Sequence, residues 1–275
     1  MSINHDIPGV EVFGKGRQTY TLPCGYVDGL GKVHRQIVMR EMTGAEEDLM
    51  DEDGVSATDR ISNILSACCE KLGDITDREL IARAVNDKLE PGEGLPLTAS
   101  DRVAMLLFLR RVSVGDTYRF SRDCPHCGAK NSNLSLNLAE LDIREVKDPT
   151  KRKVKFKLPS GIIAVLKVLS ASGERKLTEL KPDQKDVRTL AILARLESLN
   201  EQPITKHDLQ KVKSLSMVDR NYIREVYNLI EGAVDTDIEM TCRACKKDFI
   251  YPLDLGQVFF SNQSEKVTVS DLEWV

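Results

Sequence analysis

Two Cys-x-x-Cys pairs are the residues of this sequence whose type and spacing most clearly indicate chemistry. Cys124 and Cys127 form the first pair, and Cys242 and Cys245 form the second. One such turn places two thiolates on one side of a metal ion, and two turns complete the four tetrahedral ligands of a structural zinc site. The spacing therefore predicts one structural Zn²⁺ per chain, bound by all four cysteines.

Two other interpretations of these cysteines stay open at this point. They could be surface dithiols, or Cys124-Pro125-His126-Cys127 could be a thioredoxin-like redox turn. A redox turn should begin a helix, whose dipole lowers the pKa of the thiol. Here the pattern places a helix before the turn and a strand after it. His126 has Ala244 at the equivalent position, so we expect it to face solvent and not to bind the metal.

The two pairs occupy the same place in two similar stretches of sequence. A Leu-Pro-x-Gly turn at residues 22–25 returns at residues 158–161, and a β-rich stretch follows each turn, at residues 33–39 and 162–169. Strands at residues 134–138 and 250–255 are predicted to follow the two cysteine pairs.

A helix start supports the same repeat. Thr98-x-x-Asp101-Arg102 returns as Ser216-x-x-Asp219-Arg220, 118 residues later, and the same offset separates Cys124 from Cys242. A shared order of landmarks with a shared offset indicates an internal duplication.

Further helices are predicted between each strand and its cysteine pair. Short helices should start at residues 43–49 and 172–177. Apolar residues at helical spacing then run from Ile61 to Leu72 and from Val187 to Leu196. Hydroxyl side chains three residues before an acid predict these helix starts: Ser56, Thr76, Thr98, Thr205 and Ser216.

The predicted fold class is therefore α+β. Two tandem, diverged copies of a β-strand/three-helix/Cys-x-x-Cys knuckle/β-strand unit would be clamped by the shared zinc. The predicted domain bounds are an N-terminal arm at residues 1–20, the first copy at 21–142, a charged linker at 143–155, the second copy at 156–260 and a tail at 261–275.

The remaining three cysteines do not share the paired spacing. Cys24 has Ser160 at the matching position of the repeat, which indicates a turn that needs only a small polar side chain. Cys68 and Cys69 fall in a predicted helix, where Cys68 lies on the apolar face and is expected to be buried. Seven cysteines is an odd number, so we do not expect a full disulfide framework.

Composition excludes several classes of protein. A net charge of -4 and a pI near 5.7 argue against a nucleic-acid backbone as the main partner. No apolar run approaches the roughly 18 residues of a membrane span, and residues 1–9 lack a secretory signal. We expect a chain that stays in the cytosol where it is made.

The sequence offers no linear catalytic motif. It lacks a nucleotide-binding glycine loop, a nucleophile elbow and a His-Glu-x-x-His motif, and His5, His34 and His207 have no partner base nearby in sequence. The paired acids Glu46 and Glu47 are expected on a solvated helix surface. The expectation is a protein that is not an enzyme.

Residues 35–49 carry a resemblance to a known family. Their sequence, Arg-Gln-Ile-Val-Met-Arg-Glu-Met-Thr-Gly-Ala-Glu-Glu-Asp-Leu, follows the Leu-Pro-x-Gly turn at residues 22–25. It resembles the T-even-type bacteriophage baseplate hub protein and hub assembly chaperone family, in which a similar turn and strand run into Arg-x-Met-Thr-Gly-x-Glu-Glu. The second copy departs from this motif, with Ser172-Gly173-Glu174-Arg175.

The resemblance implies a non-enzymatic component of a contractile phage tail. Such a chain would be made in the host cytoplasm, would bind other tail and baseplate proteins, and would end up in the baseplate of the virion. An assembly chaperone absent from the mature particle is the alternative, and a zinc-ribbon protein that binds nucleic acid is a lesser one. Trp274 and the N-terminal arm are candidate anchors for a partner protein.

Overall fold

The computed structural model describes residues 16–50, 52–179, 186–253 and 255. Over this part the chain is a mixed α+β protein with eight α-helices, one 3₁₀ turn and five small antiparallel sheets. None of the helices in it is long and apolar enough to span a bilayer. His5, most of the predicted N-terminal arm and the tail with Trp274 lie outside the described residues.

The elements alternate in small groups of strands and helices. The helices are α1 Gly44–Met50, α2 Ala57–Cys68, α3 Arg78–Asn86, α4 Ala99–Val114, α5 Ala171–Glu179, α6 Val187–Leu193, α7 Leu209–Lys213 and α8 Met217–Ile230. The strands are β1 Arg17–Val27, β2 Val33–Arg40, β3 Cys69–Leu72, β4 Thr117–Asp123, β5 Lys130–Asn137, β6 Ile143–Arg144, β7 Lys153–Lys157, β8 Ile163–Lys167, β9 Leu196–Leu199, β10 Gln202–Pro203, β11 Ala233–Val234, β12 Asp237–Thr241 and β13 Asp248–Pro252.

The first half of the chain, which we define as residues 16–142, is built on the sheet β1-β2-β3. In β2, Ile37 and Met39 share one face and are fully buried, whereas residues 22–27 of β1 are buried at every position. Helix α4 lies across this sheet and is buried along most of its length. Its residues 104–109 are buried without interruption and form the centre of the first core, while the buried Asp101, Arg102 and Arg110 are charged.

The second half, residues 143–255, is built on the four-stranded sheet β10-β9-β8-β7. Its core is smaller and packs the inward face of β7 to β9 against α6, α7 and α8. Helix α8 buries only Asp219 and Ile223 along its length. The two halves therefore share an order of elements but not a depth of burial.

Matching irregularities occur at matching positions of the two sheets. The register between β2 and β3 shifts at Val38/Met39, and the register between β8 and β9 shifts at Val165/Leu166, 127 residues later. A residue in the left-handed conformation follows β3 and β9 at the same offset of 127 residues. These residues are Gly73, with φ 60°, and Asn200, with φ 47°. A glycine or an asparagine is the residue that tolerates this conformation.

Each half also joins its Leu-Pro-x-Gly turn to a helix in the same way. The backbone N–H of Cys24 donates to Asp101 Oδ1 at 2.7 Å, and that of Ser160 donates to Asp219 Oδ1 at 3.0 Å. Both aspartates are buried third residues of a helix whose start is capped by a hydroxyl. The predicted caps at Thr98 and Ser216 are confirmed, as is the cap at Ser56.

The arginine after each aspartate ties the helices of its half together. Arg102 donates to Ser62 Oγ at 2.5 Å and to the carbonyl of Val85 at 3.1 Å. Arg220 donates to Thr189 Oγ1 at 3.0 Å and to the carbonyl of Val212 at 3.0 Å. The acceptors in the second half lie 127 residues after their counterparts in the first.

Several predicted helix bounds were wrong. Leu72 and Leu196 lie in strands β3 and β9, since α2 ends at Cys68 and α6 at Leu193. Cys69 likewise begins a strand. Continuous apolar runs do not reveal where a helix gives way to a strand, because both states bury them equally well.

Three predicted helix starts also need correction. Asp77, one residue after Thr76, caps α3 by accepting from the N–H groups of Glu79 and Leu80. Thr205 bonds the carboxylate of Asp208, but α7 begins only at Leu209. Helix α5 begins at Ala171, so the Ser-Gly of residues 172–173 lies inside the helix and not at its start.

Candidate metal centre

Two β-hairpins position the four cysteines. Strands β4 and β5 carry the turn with Cys124 and Cys127, and β12 and β13 carry the turn with Cys242 and Cys245. In each turn the N–H of the first cysteine donates to a carbonyl five residues on, at 2.9 Å in the first hairpin and 3.0 Å in the second. The two turns are therefore built alike.

A left-handed residue closes each turn just after its second cysteine. Gly128 has φ 71°, and Lys246, at the same position of the second hairpin, has φ 60°. Their N–H groups donate back to the carbonyls of Cys124 and Cys242 at 2.9 and 3.0 Å. This closure brings the two sulfurs of each turn to the same side of the hairpin.

The four sulfurs form a compact cluster. All four Sγ atoms lie within 4.8 Å of one another. Cys124 Sγ lies 3.8 Å from Cys245 Sγ, and Cys127 Sγ lies 3.8 Å from Cys242 Sγ. A tetrahedron with metal–sulfur bonds of about 2.3 Å has edges of about 3.8 Å. The arrangement fits a metal ion and is too wide for disulfides, whose sulfurs are about 2.05 Å apart.

The two short sulfur–sulfur distances are equal and pair the cysteines symmetrically, as expected if an approximate twofold axis relates the two hairpins. Each joins the first cysteine of one turn to the second cysteine of the other. Cys124 and Cys242 are buried, Cys245 is half-buried and Cys127 is exposed. The cluster therefore has one side in the protein and one side at the surface.

Backbone N–H groups favour a thiolate at one corner of the cluster. Those of Cys245 and Ala244 point at the sulfur of Cys242 and lower the pKa of this thiol to about 6. At Cys127 the N–H of Ala129 also favours the thiolate, but the neighbouring cysteine sulfurs outweigh it and raise the pKa of that thiol to about 11. Adjacent thiolates repel one another, and a cation at the centre removes this repulsion.

Asn131 joins the two hairpins beside the sulfurs, and sequence reasoning missed it. Its side-chain amide is buried and lies 3.8 Å from Cys242 Sγ as a donor. Its Oδ1 accepts from the N–H of Arg243 at 3.0 Å. Side chains that orient metal ligands in this way tune the site. An asparagine four residues after a Cys-x-x-Cys pair carries no signal of this role.

Aromatic side chains hold the hairpins together away from the sulfurs. The ring of Phe120 stacks on that of Tyr251 with centroids 5.7 Å apart, and the guanidinium of Arg122 lies 4.1 Å over the same tyrosine ring. Contacts of this kind contribute about 1 kcal/mol each. They align the two turns.

The alternative interpretation of the first turn as a redox site lacks the helix start that it requires. Cys124-Pro125-His126-Cys127 connects two strands, so no helix start is present to lower the pKa of a thiol. His126 is exposed, as expected, and its Nε2 lies 3.2 Å from the carbonyl oxygen of Asp248. It is not among the side chains that form the cluster.

The other cysteines are buried and stand apart from the cluster. Burial raises the pKa of Cys24, and it raises the pKa of Cys68 and of Cys69 to about 12. Such thiols stay protonated and behave as small hydrophobes. The burial predicted for Cys68 is confirmed.

Two expectations about polar residues were wrong. Glu46 is buried, where Arg40 Nη2 donates to its Oε1 at 2.6 Å and the N–H of Thr43 donates to its Oε2 at 3.0 Å. His34, expected to stand alone, is buried with its Nε2 2.9 Å from Asp28 Oδ2. The strand and turn geometry, invisible in the sequence, brings these partners together.

Comparison with known proteins gives one match. The family model described as T4 bacteriophage base plate protein matches residues 28–261, which include both hairpins and all four cysteines. No curated protein and no solved structure matches this chain.

Proposed function

Because the chain belongs to the T4 bacteriophage base plate protein family, we propose that it is a structural component of the hub region of a contractile phage tail baseplate. The match over residues 28–261 carries this proposal, since it spans nearly all the described residues. The chain would be made in the host cytoplasm and would then act through contacts with other baseplate proteins.

The contacts between the two halves support a structural role. Arg102 Nε lies 3.1 Å from Glu174 Oε2 of the second half, and the N–H of Ala99 donates to the carbonyl of Leu169 at 2.8 Å. Ser170 Oγ donates to Asp87 Oδ2 at 2.6 Å. These bonds hold the halves in one orientation, which a building block of an assembly needs.

Quantitative mass spectrometry of purified phage particles tests the proposal, with the major tail proteins as internal standard. A baseplate component is expected at a fixed, symmetric copy number. A chain that is abundant in infected cells and absent from finished particles would instead be an assembly chaperone.

The four clustered cysteines are proposed to bind one structural zinc ion. Cys124, Cys127, Cys242 and Cys245 would each supply a thiolate, and the ion would connect the hairpin of one half to that of the other. The sulfur–sulfur distances of 3.8 Å support this assignment. Structural zinc contributes about 10–16 kcal/mol of binding free energy to folding. Metal analysis of the purified chain should give one zinc per chain.

We also infer that the two halves arose by duplication of one unit. The repeated aspartate and arginine networks and the matching register shifts support this inference, because unrelated α+β units have no reason to share them. The domain bounds given above stay predictions. In the structure β1 already begins at Arg17, and β7 begins at Lys153.

A further inference from the structure

The sulfur cluster is open to solvent at one corner. Cys127 is exposed, Cys245 is half-buried, and Cys124 and Cys242 are buried. In the zinc-loaded chain all four side chains are thiolates, because a metal ion binds cysteine in its deprotonated form. A small oxidant that arrives from water therefore meets the sulfur of Cys127 first.

The sulfur opposite this corner belongs to the other hairpin. Cys127 Sγ lies 3.8 Å from Cys242 Sγ, and Cys124 Sγ lies 3.8 Å from Cys245 Sγ in the same crossed arrangement. A disulfide has its sulfurs about 2.05 Å apart, so either crossed pair must approach by about 1.8 Å to form one. Each crossed disulfide would join the two halves of the chain, whereas a disulfide within one turn would not.

Contacts that do not involve the sulfurs hold the two hairpins together. Asn131 Oδ1 accepts from the N–H of Arg243 at 3.0 Å, and Arg243 Nη1 donates to the carbonyl of Ser132 at 3.1 Å. The rings of Phe120 and Tyr251 stack with centroids 5.7 Å apart. Because these contacts need no metal, they keep the crossed pairs of sulfurs opposite each other when the ion leaves.

We propose that Cys127 is a site of oxidation by hydroperoxides, and that its oxidation links the two halves through a disulfide between Cys127 and Cys242. The metal link between the hairpins is then replaced by a covalent one. This inference rests on the proposed function, since it starts from the zinc site and from a phage particle that leaves the reducing cytosol of its host. The covalent link persists in an oxidising medium.

The reaction consumes two thiolates and one molecule of hydrogen peroxide. The Cys127 thiolate attacks one peroxide oxygen, so that an S–O bond forms, the O–O bond breaks, and the departing hydroxide takes a proton to become water. The Cys242 thiolate then attacks the sulfenic sulfur, so that the S–S bond forms, the S–O bond breaks, and a second hydroxide leaves as water. Each sulfur loses one electron and the peroxide gains two. Two thiolates then remain for the ion, fewer than the four of a structural zinc site.

Peptide mapping of the zinc-loaded full chain tests this pairing. After treatment with hydrogen peroxide and alkylation of the remaining thiols, tryptic peptide 123–130 should be joined to peptide 225–243, and fragmentation should place the bond at Cys127. Crossed disulfides should exceed disulfides within one turn by at least about tenfold, and the zinc released should match the disulfide formed. Disulfides within the turns, or an oxidised Cys127 without a disulfide, would overturn the proposal.

The buried cysteines supply an internal control in the same sample. Cys68 and Cys69 are buried and stand apart from the cluster. They should be recovered as alkylated thiols after denaturation of the oxidised chain. If they were oxidised as fast as Cys127, the exposure of Cys127 would not direct the reaction, and the proposal would be wrong.

A chain that can be cut between the halves gives a second readout. A protease site inserted between Thr150 and Lys151, which are both exposed, separates the first cysteine pair from the second. After oxidation and cleavage the two pieces should run as one species on a denaturing gel without reductant and as two species with it. Two separate pieces without reductant would overturn the proposal.

The outcomes separate this inference from the proposals that it rests on. A purified chain without zinc that still forms the Cys127–Cys242 bond would defeat the zinc site and uphold the pairing. A zinc-loaded chain that forms only disulfides within the turns would overturn this inference and leave the zinc site standing. The copy number in particles, measured separately, tests the baseplate role alone.

Discussion

The first half is closed and the second half is open, although each packs an antiparallel sheet against helices and bonds its Leu-Pro-x-Gly turn to a helix aspartate. In the first half α4 lies in a core that also takes in Val234 and Leu253 from the second half. In the second half α8 keeps one side in solvent. The difference teaches that a similar order of elements does not fix which surfaces are buried, since segments from elsewhere in the chain, such as those carrying Val234 and Leu253, also contribute to a core.

The first half is longer than the second between the landmarks that they share. The offset between equivalent residues falls from 136 at the Leu-Pro-x-Gly turn to 127 at β2 and to 118 at α4, so nine residues are extra at each step. These segments meet, because Val27 and Leu95 bond each other and the Tyr26 hydroxyl donates to the carbonyl of Glu93. Gly94, with φ 108°, permits the contact, since a Cβ there would lie 2.0 Å from the carbonyl of Val27.

The largest expected effect comes from breaking the link between the two hairpins. Cys124→Ser removes one of the four clustered sulfurs and should abolish stoichiometric zinc binding and lower the free energy of unfolding by on the order of 5 kcal/mol. Inductively coupled plasma mass spectrometry and denaturant unfolding measure both quantities.

Cys24→Ser is the matched control for this variant. Cys24 is buried but stands apart from the cluster, and the second half already has Ser160 at its position. It should keep full zinc content. If Cys124→Ser kept the zinc content and the stability of the wild type, the proposed four-cysteine zinc site would be wrong.

The two arginine networks should differ in strength. Arg102 is 3% exposed and also faces Glu174, so Arg102→Ala strands buried acceptors and should cost about 3–5 kcal/mol. Arg220 bonds Thr189 and Val212 nearer to solvent, and Arg220→Ala should cost about 1 kcal/mol. Guanidinium unfolding of the zinc-loaded chain measures both. Equal costs would contradict the contrast between a closed and an open half.

The Thr-Gly-x-Glu segment should make the first half sensitive to acid. Burial alone raises the pKa of Glu46, but bonds from Arg40 and Thr43 outweigh it and hold this pKa at about 2. Because this pKa lies below the unfolded value of about 4.5, the carboxylate stabilises the fold by about 3 kcal/mol above pH 4.5, and this contribution disappears as the pH falls toward 2. The second half has Gly173 at this position and no such carboxylate.

Glu46→Gln tests this in comparison with Glu47→Gln, whose side chain is exposed. The gap in melting temperature between wild type and Glu46→Gln should be constant from pH 6 to 8 and should close between pH 5 and 2. Glu47→Gln should track wild type throughout. If the difference in melting temperature persisted at pH 2, the Glu46 carboxylate would not be the group that makes the first half sensitive to acid.

The smallest effect separates two glycines that look equivalent in sequence. A Cβ on Gly44 meets nothing within 4 Å, so Gly44→Ala should change stability by less than about 0.5 kcal/mol. A Cβ on Gly173 would lie 2.6 Å from Leu169 Cδ1, so Gly173→Ala should cost about 1 kcal/mol net of the gain in helix propensity. Thermal unfolding measures the pair, and a reversed order would contradict the placement of α5.

Local signals in the sequence predicted part of the local structure, although the same signal misplaced the helix starts at Thr76 and Thr205. The caps at Ser56, Thr98 and Ser216 follow from a hydroxyl and an acid three residues apart, which is a contact within one turn. The Cys-x-x-Cys spacing identified the four side chains that the structure brings together. These features need no knowledge of the tertiary fold.

Features that depend on distant parts of the chain were not predictable. Glu46 is buried because strand β2 delivers Arg40 to it, and Asn131 bridges two hairpins that are 112 residues apart at its contact with Arg243. Tyr222 of α8 is 39% exposed whereas Ala104 of α4, 118 residues earlier, is fully buried, and the spacing within either helix does not predict this contrast. Propensity and periodicity describe single elements and carry no information on such neighbours.

The most direct test of the account is zinc X-ray absorption on the purified full chain. The account predicts one zinc per chain with four sulfur neighbours at about 2.3 Å and no nitrogen or oxygen in the first shell. A chain that binds no zinc, or a zinc with mixed nitrogen and sulfur ligands, would contradict a shared site that joins the two halves.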